Sequence, residues 1–179
     1  MHGEITGSIG IHVDITERKL SEQELFATKA KLDRYKLGAE SINEISSNRS
    51  LSYDDQIKEG LKIAANYLEL LIAILSEIDK GTYKLLDYYL AEDMEGFNRG
   101  DEYKLADTYC DLTVNNDGRL AIREWSASEF ADHKCYKAFG LETYSGAAYY
   151  VNDELRGTIN FSKAKPRDNE FDLYDLEFV

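Results

Sequence analysis

Leu70-Leu71-Ile72-Ala73-Ile74-Leu75-Ser76-Glu77-Ile78, Asp79-Lys80-Gly81 and Thr82-Tyr83-Lys84-Leu85-Leu86-Asp87-Tyr88-Tyr89-Leu90 follow one another without a break. The first run is almost continuously apolar, which suits a strand covered on both faces. Asp79-Lys80-Gly81 is a hairpin turn. The second run alternates, with Leu86, Tyr88 and Leu90 on one face and Tyr83, Leu85 and Tyr89 on the other. Upstream, Ser52 and Asp55 form a capping-box-like start for a helix that lines up Ile57, Leu61, Ala64, Ala65 and Leu68. Downstream come a loop to about Gly100, a short helix or turn over 105–112, a turn at Asn115-Asn116-Asp117-Gly118 and a short strand over 120–125. The segment 126–140 is irregular or helical. Strands at 144–151 and 155–162 join at Asn152-Asp153-Glu154, and 171–179 begins a helix that the chain does not complete. Hairpin connections dominate. The expected fold is α+β: a mostly antiparallel sheet of about five or six strands covered by helices, preceded by a long N-terminal helix.

The chain has 179 residues, a formal net charge of −13, 43% hydrophobic residues and one proline. That describes an ordered globular domain plus a linker. The acidic balance opposes contact with nucleic acid and with anionic lipid. No apolar run reaches the roughly 20 residues that cross a bilayer. Two cysteines, Cys110 and Cys135, make no disulfide framework, so a cytoplasmic setting is expected.

The N-terminal part has its own logic. Ile5, Ile9, Ile11 and Val13 form a weak strand pattern among glycines, and a lone strand leaves its edges unpaired. Thr16 suits a helix N-cap, with Glu17 in the first turn. The helix then runs to about Ser46. Leu25, Thr28, Leu32, Tyr35, Ala39 and Ile42 recur at 3-4-3-4-3 spacing, the pattern of a seam between two copies of a helix. The same stripe also suits packing on the helix's own domain. Gly38 is its weak point, costing about 1 kcal/mol relative to alanine.

Two resemblances follow. Gly7-Ser8-Ile9-Gly10-Ile11-His12-Val13-Asp14-Ile15-Thr16-Glu17-Arg18-Lys19 resembles the last strand and exit of a PAS sensor domain. Residues 50–179 resemble a GAF domain. That resemblance rests on Leu105-Ala106-Asp107-Thr108-Tyr109-Cys110, His133-Lys134-Cys135-Tyr136, Leu141-Glu142-Thr143-Tyr144-Ser145-Gly146 and Gly157-Thr158-Ile159-Asn160-Phe161-Ser162, then Pro166-Arg167 and Phe171 with Asp172 and Asp175. Together they imply a PAS remnant over 1–15, a coiled-coil-like linker over 16–49 and a GAF domain over 50–179. Asp14, Ile15 and Thr16 would be the signal junction. Such an arrangement implies a non-catalytic sensory module of a bacterial sensor histidine kinase, with a diguanylate cyclase or phosphodiesterase sensor as the alternative. Its partners would be a second copy, through the linker and GAF helices, and the upstream PAS and downstream output domains of the same chain.

Candidate ligand-pocket residues are Tyr88, Tyr109, Cys110, Trp125, His133, Cys135, Tyr136 and Tyr144. Tyrosine hydroxyls would orient a small molecule and Trp125 would close the pocket. The many tyrosines, Tyr149 and Tyr150 among them, equally suit plain sheet packing. Cys110, His133 and Cys135 fall short of the four ligands of a structural zinc site, so no metal is expected. Cys135 is followed by Tyr136 where bilin-holding GAF domains usually carry histidine, so a bilin is not expected either. An unidentified small-molecule ligand remains open. A free-standing thiol enzyme using Cys110 with Cys135 is the rival from another class.

Overall fold

The computed structural model of the protein describes residues 15–92 and 96–179. The expected strand before Asp14 and the proposed PAS remnant therefore lie outside the described residues, except for Ile15. Helix α1 runs from Thr16 to Ser47 with Ile15 at its N-cap position, so Thr16 is the first helical residue, not the cap. Helix α2 (Tyr53–Leu68) starts where expected. The Ser52 hydroxyl accepts from the Asp55 backbone N–H at 3.2 Å and donates to the Asp55 carboxylate at 2.6 Å. Its buried face is Leu61, Ala64, Ala65, Tyr67 and Leu68, the stripe the helical period selects.

Among the described residues, six strands form one antiparallel sheet: β1 (Ile72–Asp79), β2 (Thr82–Leu90), β3 (Glu102–Lys104), β4 (Arg119–Ile122), β5 (Thr143–Val151) and β6 (Glu154–Lys163), in the order β3-β2-β1-β6-β5-β4. Among the described residues there are also three short α-helices, α3 (Tyr109–Asn115), α4 (Lys134–Phe139) and α5 (Leu173–Phe178), and two 3-10 turns, Leu105–Asp107 and Trp125–Ala127. Strand β3, only three residues long, had no sequence signal of its own. Both two-residue hairpin loops need positive φ, and have it: Lys80 at 47° and Gly81 at 81°, Asn152 at 53° and Asp153 at 63°.

The simple alternation expected for β2 does not hold. Leu75 faces Asp87 while the next residue, Ser76, faces Leu85, so Leu86 is an extra residue in a bulge. A bulge shifts the side-chain phase by one. Tyr83 and Leu85 therefore share a face with Tyr88 and Leu90, since their opposite partners Ile78, Ser76, Ile74 and Ile72 alternate regularly along β1. Asp87 and Tyr89 turn to the other face.

The sheet has two coverings. On one face, α2 packs on Ala73 and Phe161, joined by Tyr35 of α1 and Phe178 of α5. On the other, α3 and α4 bring Tyr109, Cys110 and Cys135 against Tyr83, Ile78 and Tyr144. Helix α1 divides along its length. Residues 16–31 are exposed throughout, with Leu20, Leu25 and Phe26 at 55%, 70% and 77%. From Leu32 onward one side is half-buried, and Leu32, Tyr35, Ala39 and Ile42 lie on it. Of the six seam positions, Leu25 and Thr28 are exposed, and the other four lie on the side of α1 that meets its own domain.

Gly38 is more than a weak point in α1. A Cβ there would stand 2.6 Å from the Phe178 ring, which stacks on Tyr67 with centroids 3.9 Å apart. Gly157 is tighter still: an added Cβ would lie 1.8 Å from the Ser76 carbonyl oxygen across the β1–β6 pair. Gly60 is the contrast, with its nearest neighbour at 4.0 Å. In urea unfolding, Gly157→Ala should lose about 3 kcal/mol or more, because backbone must move. Gly60→Ala, inside α2, should gain roughly 0.5–1 kcal/mol. Equal effects of the two substitutions would contradict this geometry.

Candidate functional site

The alternation of β1, β5 and β6 decides what faces α3 and α4. Paired positions place Ile72, Ile74 and Ser76 of β1 beside Ser162, Asn160 and Thr158 of β6, and Tyr144 of β5 beside Ser162. Odd-numbered neighbours, Phe161 and Ile159, turn to the α2 face. One strand thus carries an apolar stripe on one side and a polar stripe on the other.

Between this polar stripe and α3–α4 lies a cavity of about 290 Å³. Its floor is Ile72, Ile74, Leu85, Asn160 and Ser162. Its walls are Tyr83, Tyr109, Cys110, Leu141 and Tyr144, and Phe97, Tyr103, Ala138 and Phe139 also line it. Among the described residues its lining contains no charged side chain.

The polar groups along the wall are mostly tied to one another. Thr113 Oγ1 and Tyr144 Oη are 2.7 Å apart, and Tyr144 Oη also donates to Cys110 Sγ at 3.6 Å. Asn160 Nδ2 donates to Cys110 Sγ at 3.3 Å. Ser76 Oγ and Thr158 Oγ1 share a bond of 2.8 Å. The Tyr109 hydroxyl donates to the Leu141 carbonyl and accepts its N–H, both at 3.1 Å. Ser162 breaks this rule. It is 1% exposed, and its hydroxyl is buried without a hydrogen-bond partner among the described residues. An orphaned hydroxyl of this kind costs on the order of 1–3 kcal/mol.

Three of the eight candidate pocket residues line the cavity: Tyr109, Cys110 and Tyr144. Tyr88 touches Phe97, with ring centroids 6.1 Å apart, but does not line it. Trp125 is fully buried behind the wall, edge-on to Tyr109 at 4.4 Å, with its indole N–H donated to the Phe130 carbonyl. It supports the wall and closes nothing. His133 caps α4: its Nδ1 accepts from the Cys135 backbone N–H at 3.3 Å and lies 2.9 Å from Cys135 Sγ. Cys135 is fully buried in the Trp125–Tyr144 cluster. Tyr136 donates its hydroxyl to Glu142. Of the other tyrosines, Tyr149 donates to the Ser76 carbonyl at 3.0 Å and Tyr150 is exposed. Asn160 and Ser162 also line the cavity and are not among the eight candidates. Their signal was the polar alternation Thr158-x-Asn160-x-Ser162 inside an otherwise apolar strand.

Burial sets the protonation of the site. It pushes the Cys135 thiol up to about 12 and raises Cys110 as well. It also drives the phenols of Tyr83 and Tyr144 well above their ordinary value. At neutral pH both thiols are therefore protonated and weakly nucleophilic. Among the described residues, no three His, Cys, Asp or Glu side chains gather to hold a metal ion. No described helix is long and apolar enough to cross a membrane.

No protein-family model matches the chain, and no curated protein matches it. Solved structures do. The GAF domain of an Acinetobacter phosphoenolpyruvate-protein phosphotransferase is 15% identical, with 83% of this chain and 85% of that one covered at a TM-score of 0.59. The phycocyanobilin-bound GAF domain of a cyanobacterial phytochrome is also 15% identical, covering 79% and 86% at a TM-score of 0.63. The free methionine-R-sulfoxide reductase of Neisseria meningitidis, in complex with its substrate, is 9% identical, covering 80% and 82% at 0.59. At these identities the likeness establishes the fold: this chain has the GAF-type α+β fold.

The raised pKa values give a signed pH dependence. A thiol or phenol whose folded pKa is raised contributes stability fully present below its unfolded value and lost as pH rises through the folded one. For Cys135 that window runs from the ordinary 9.0 to about 12. Melting temperature should therefore fall steadily above about pH 9, and Cys135→Ala should flatten part of the slope. A profile unchanged to pH 11 would contradict the burial of these groups.

Proposed function

We propose that residues 50–179 form a sensory and regulatory GAF module with no catalysis of its own, and that α1 carries its signal. In this reading residues 1–15 end a PAS domain, 16–49 link it to the GAF domain, and the parent is a bacterial sensor histidine kinase. A diguanylate cyclase or phosphodiesterase sensor fits the same module. The observation that carries the proposal is the combination of a largely apolar cavity on one face of the sheet, with no charged side chain in its lining among the described residues, and a linker helix clamped to the other face. Lys31 pairs with Asp172 at 2.9 Å, and Arg34 with Asp175 at 2.9 Å. Arg34 also lies over the Tyr67 ring, 4.6 Å from its centroid.

The bilin seen in the phytochrome neighbour does not suit these residues. Cys135 is buried outside the cavity lining, and among the described residues that lining offers no cation for propionate groups. A thiol reductase is also disfavoured. Only Cys110 lines the cavity, it is raised by burial, and Cys135 sits in a separate cluster against Trp125.

The exposed half of α1 supports a second copy as partner. A helical stretch of this length with no packing is marginal alone, and Leu20, Leu25 and Phe26 are uncovered on it. Sedimentation should find residues 1–179 dimeric at about 0.1 mM, with Leu25→Asp monomeric and its circular dichroism unchanged. A wild-type monomer at that concentration would remove the dimeric linker from the account.

A further inference from the structure

Aromatic rings make up much of the lining of the cavity between β6 and α3–α4. We propose that it binds a neutral two-ring aromatic molecule carrying one hydroxyl or carbonyl, with that oxygen hydrogen-bonded to Ser162 Oγ. The proposal rests on the reading of this domain as a sensory module and names the ligand class.

Three observations converge. The first is size. A dry cavity of about 150 Å³ takes one benzene ring. This one measures about 290 Å³, room for roughly two. The second is surface. Tyr83, Phe97, Tyr103, Tyr109, Phe139 and Tyr144 supply ring faces and edges. No Lys, Arg, His, Asp or Glu lines the space among the described residues, so an ionised ligand would lose part of its hydration and meet no counter-charge from them.

The third is an unmet polar group, the one buried hydroxyl of the cavity lining without a partner among the described residues. Ser162 is one of the residues that line the cavity, and its Oγ is buried with no partner among the described residues. A hydroxyl both donates and accepts, so it can meet either a phenol or a ring carbonyl. Cys110, Tyr144, Thr113 and Tyr109 are already engaged with protein partners. The ligand therefore needs one polar atom, placed at the β6 wall, and apolar rings elsewhere. Ala138, on the exposed side of α4, also lines the cavity.

Calorimetric titration of residues 1–179 with 1-naphthol, naphthalene and 1-naphthoate tests this directly. 1-Naphthol should bind at one site, and 1-naphthoate at least about tenfold more weakly. Ser162→Ala should weaken 1-naphthol by about three- to tenfold and leave naphthalene unchanged, since one hydrogen bond is lost. Ala138→Trp should abolish binding of both while leaving the melting temperature in place. Equal affinity for naphthol and naphthoate, or equal loss of naphthol and naphthalene in Ser162→Ala, would overturn the assignment. So would no binding of any probe up to about 1 mM. In that last case the sedimentation experiment still decides the regulatory reading on its own. Binding as described, with no change in α1 amide exchange, would uphold this ligand class and sink signal transmission through α1.

Discussion

Asp175 is the point on which the helical face of this domain converges. It is 1% exposed and accepts from Arg167 Nη1 at 2.6 Å, from Arg34 Nη2 at 2.9 Å and from the Asp172 backbone N–H at 3.2 Å. A carboxylate this deep is tolerable only with its charges and lone pairs met. The three donors come from the loop after β6, from α1 and from the start of α5, so one buried charge fixes three segments that share no sheet hydrogen bonds. Removing one partner of such a pair commonly costs about 3–5 kcal/mol, because the other charge stays buried. Around it, Tyr35 meets Phe178 edge-on at 6.0 Å and Tyr174 at 5.6 Å. Phe178 reaches Tyr67 only because Gly38 leaves room. At Asp172 burial works upward. The Lys31 hydrogen bond and the Asp175 backbone N–H outweigh it, and the carboxyl lies below its ordinary range. This edge of the clamp is therefore fully present above the usual carboxylate pKa and weakens as pH falls through the depressed one.

The sheet is the partition between this clamp and the cavity, and β6, like β1, contributes side chains to both faces. Phe161 and Ser162 are consecutive residues on opposite faces. Phe161 packs in the α2 core beside Tyr35 and Phe178, and Ser162 lines the cavity. A ligand that draws on Ser162 therefore acts on the strand whose neighbouring side chain, Phe161, belongs to the apolar core that α1 joins through Tyr35. Such coupling is a free energy shared by two sites, and it must be reciprocal.

Much of the fold was legible because it rests on short-range rules. The capping pair Ser52–Asp55 marked α2 correctly, and the turns at Lys80-Gly81 and Asn152-Asp153 marked both hairpins. What was not legible depends on partners. The bulge at Leu86 exists only through β2's register against β1, and it turned the expected faces of β2 around. Strand β3 has three residues and borrows its conformation from β2. The seam stripe in α1 reads the same for a second copy as for α2 and α5, and only tertiary packing shows its C-terminal half on its own domain. In the site, aromatic and titratable residues drew the eye to Trp125, His133 and Cys135, which support the wall. The residue with the unmet hydroxyl, Ser162, is small and uncharged. Its signal was the polar alternation of β6.

The central claim is that cavity and clamp report to each other through β6. The direct measurement is the affinity of 1-naphthol for wild type and for Arg34→Ala, a substitution far from the cavity lining that leaves Arg167 on Asp175. Coupling predicts affinities that differ by about fivefold or more. Affinities equal within about twofold, with the substituted domain folded, would contradict it.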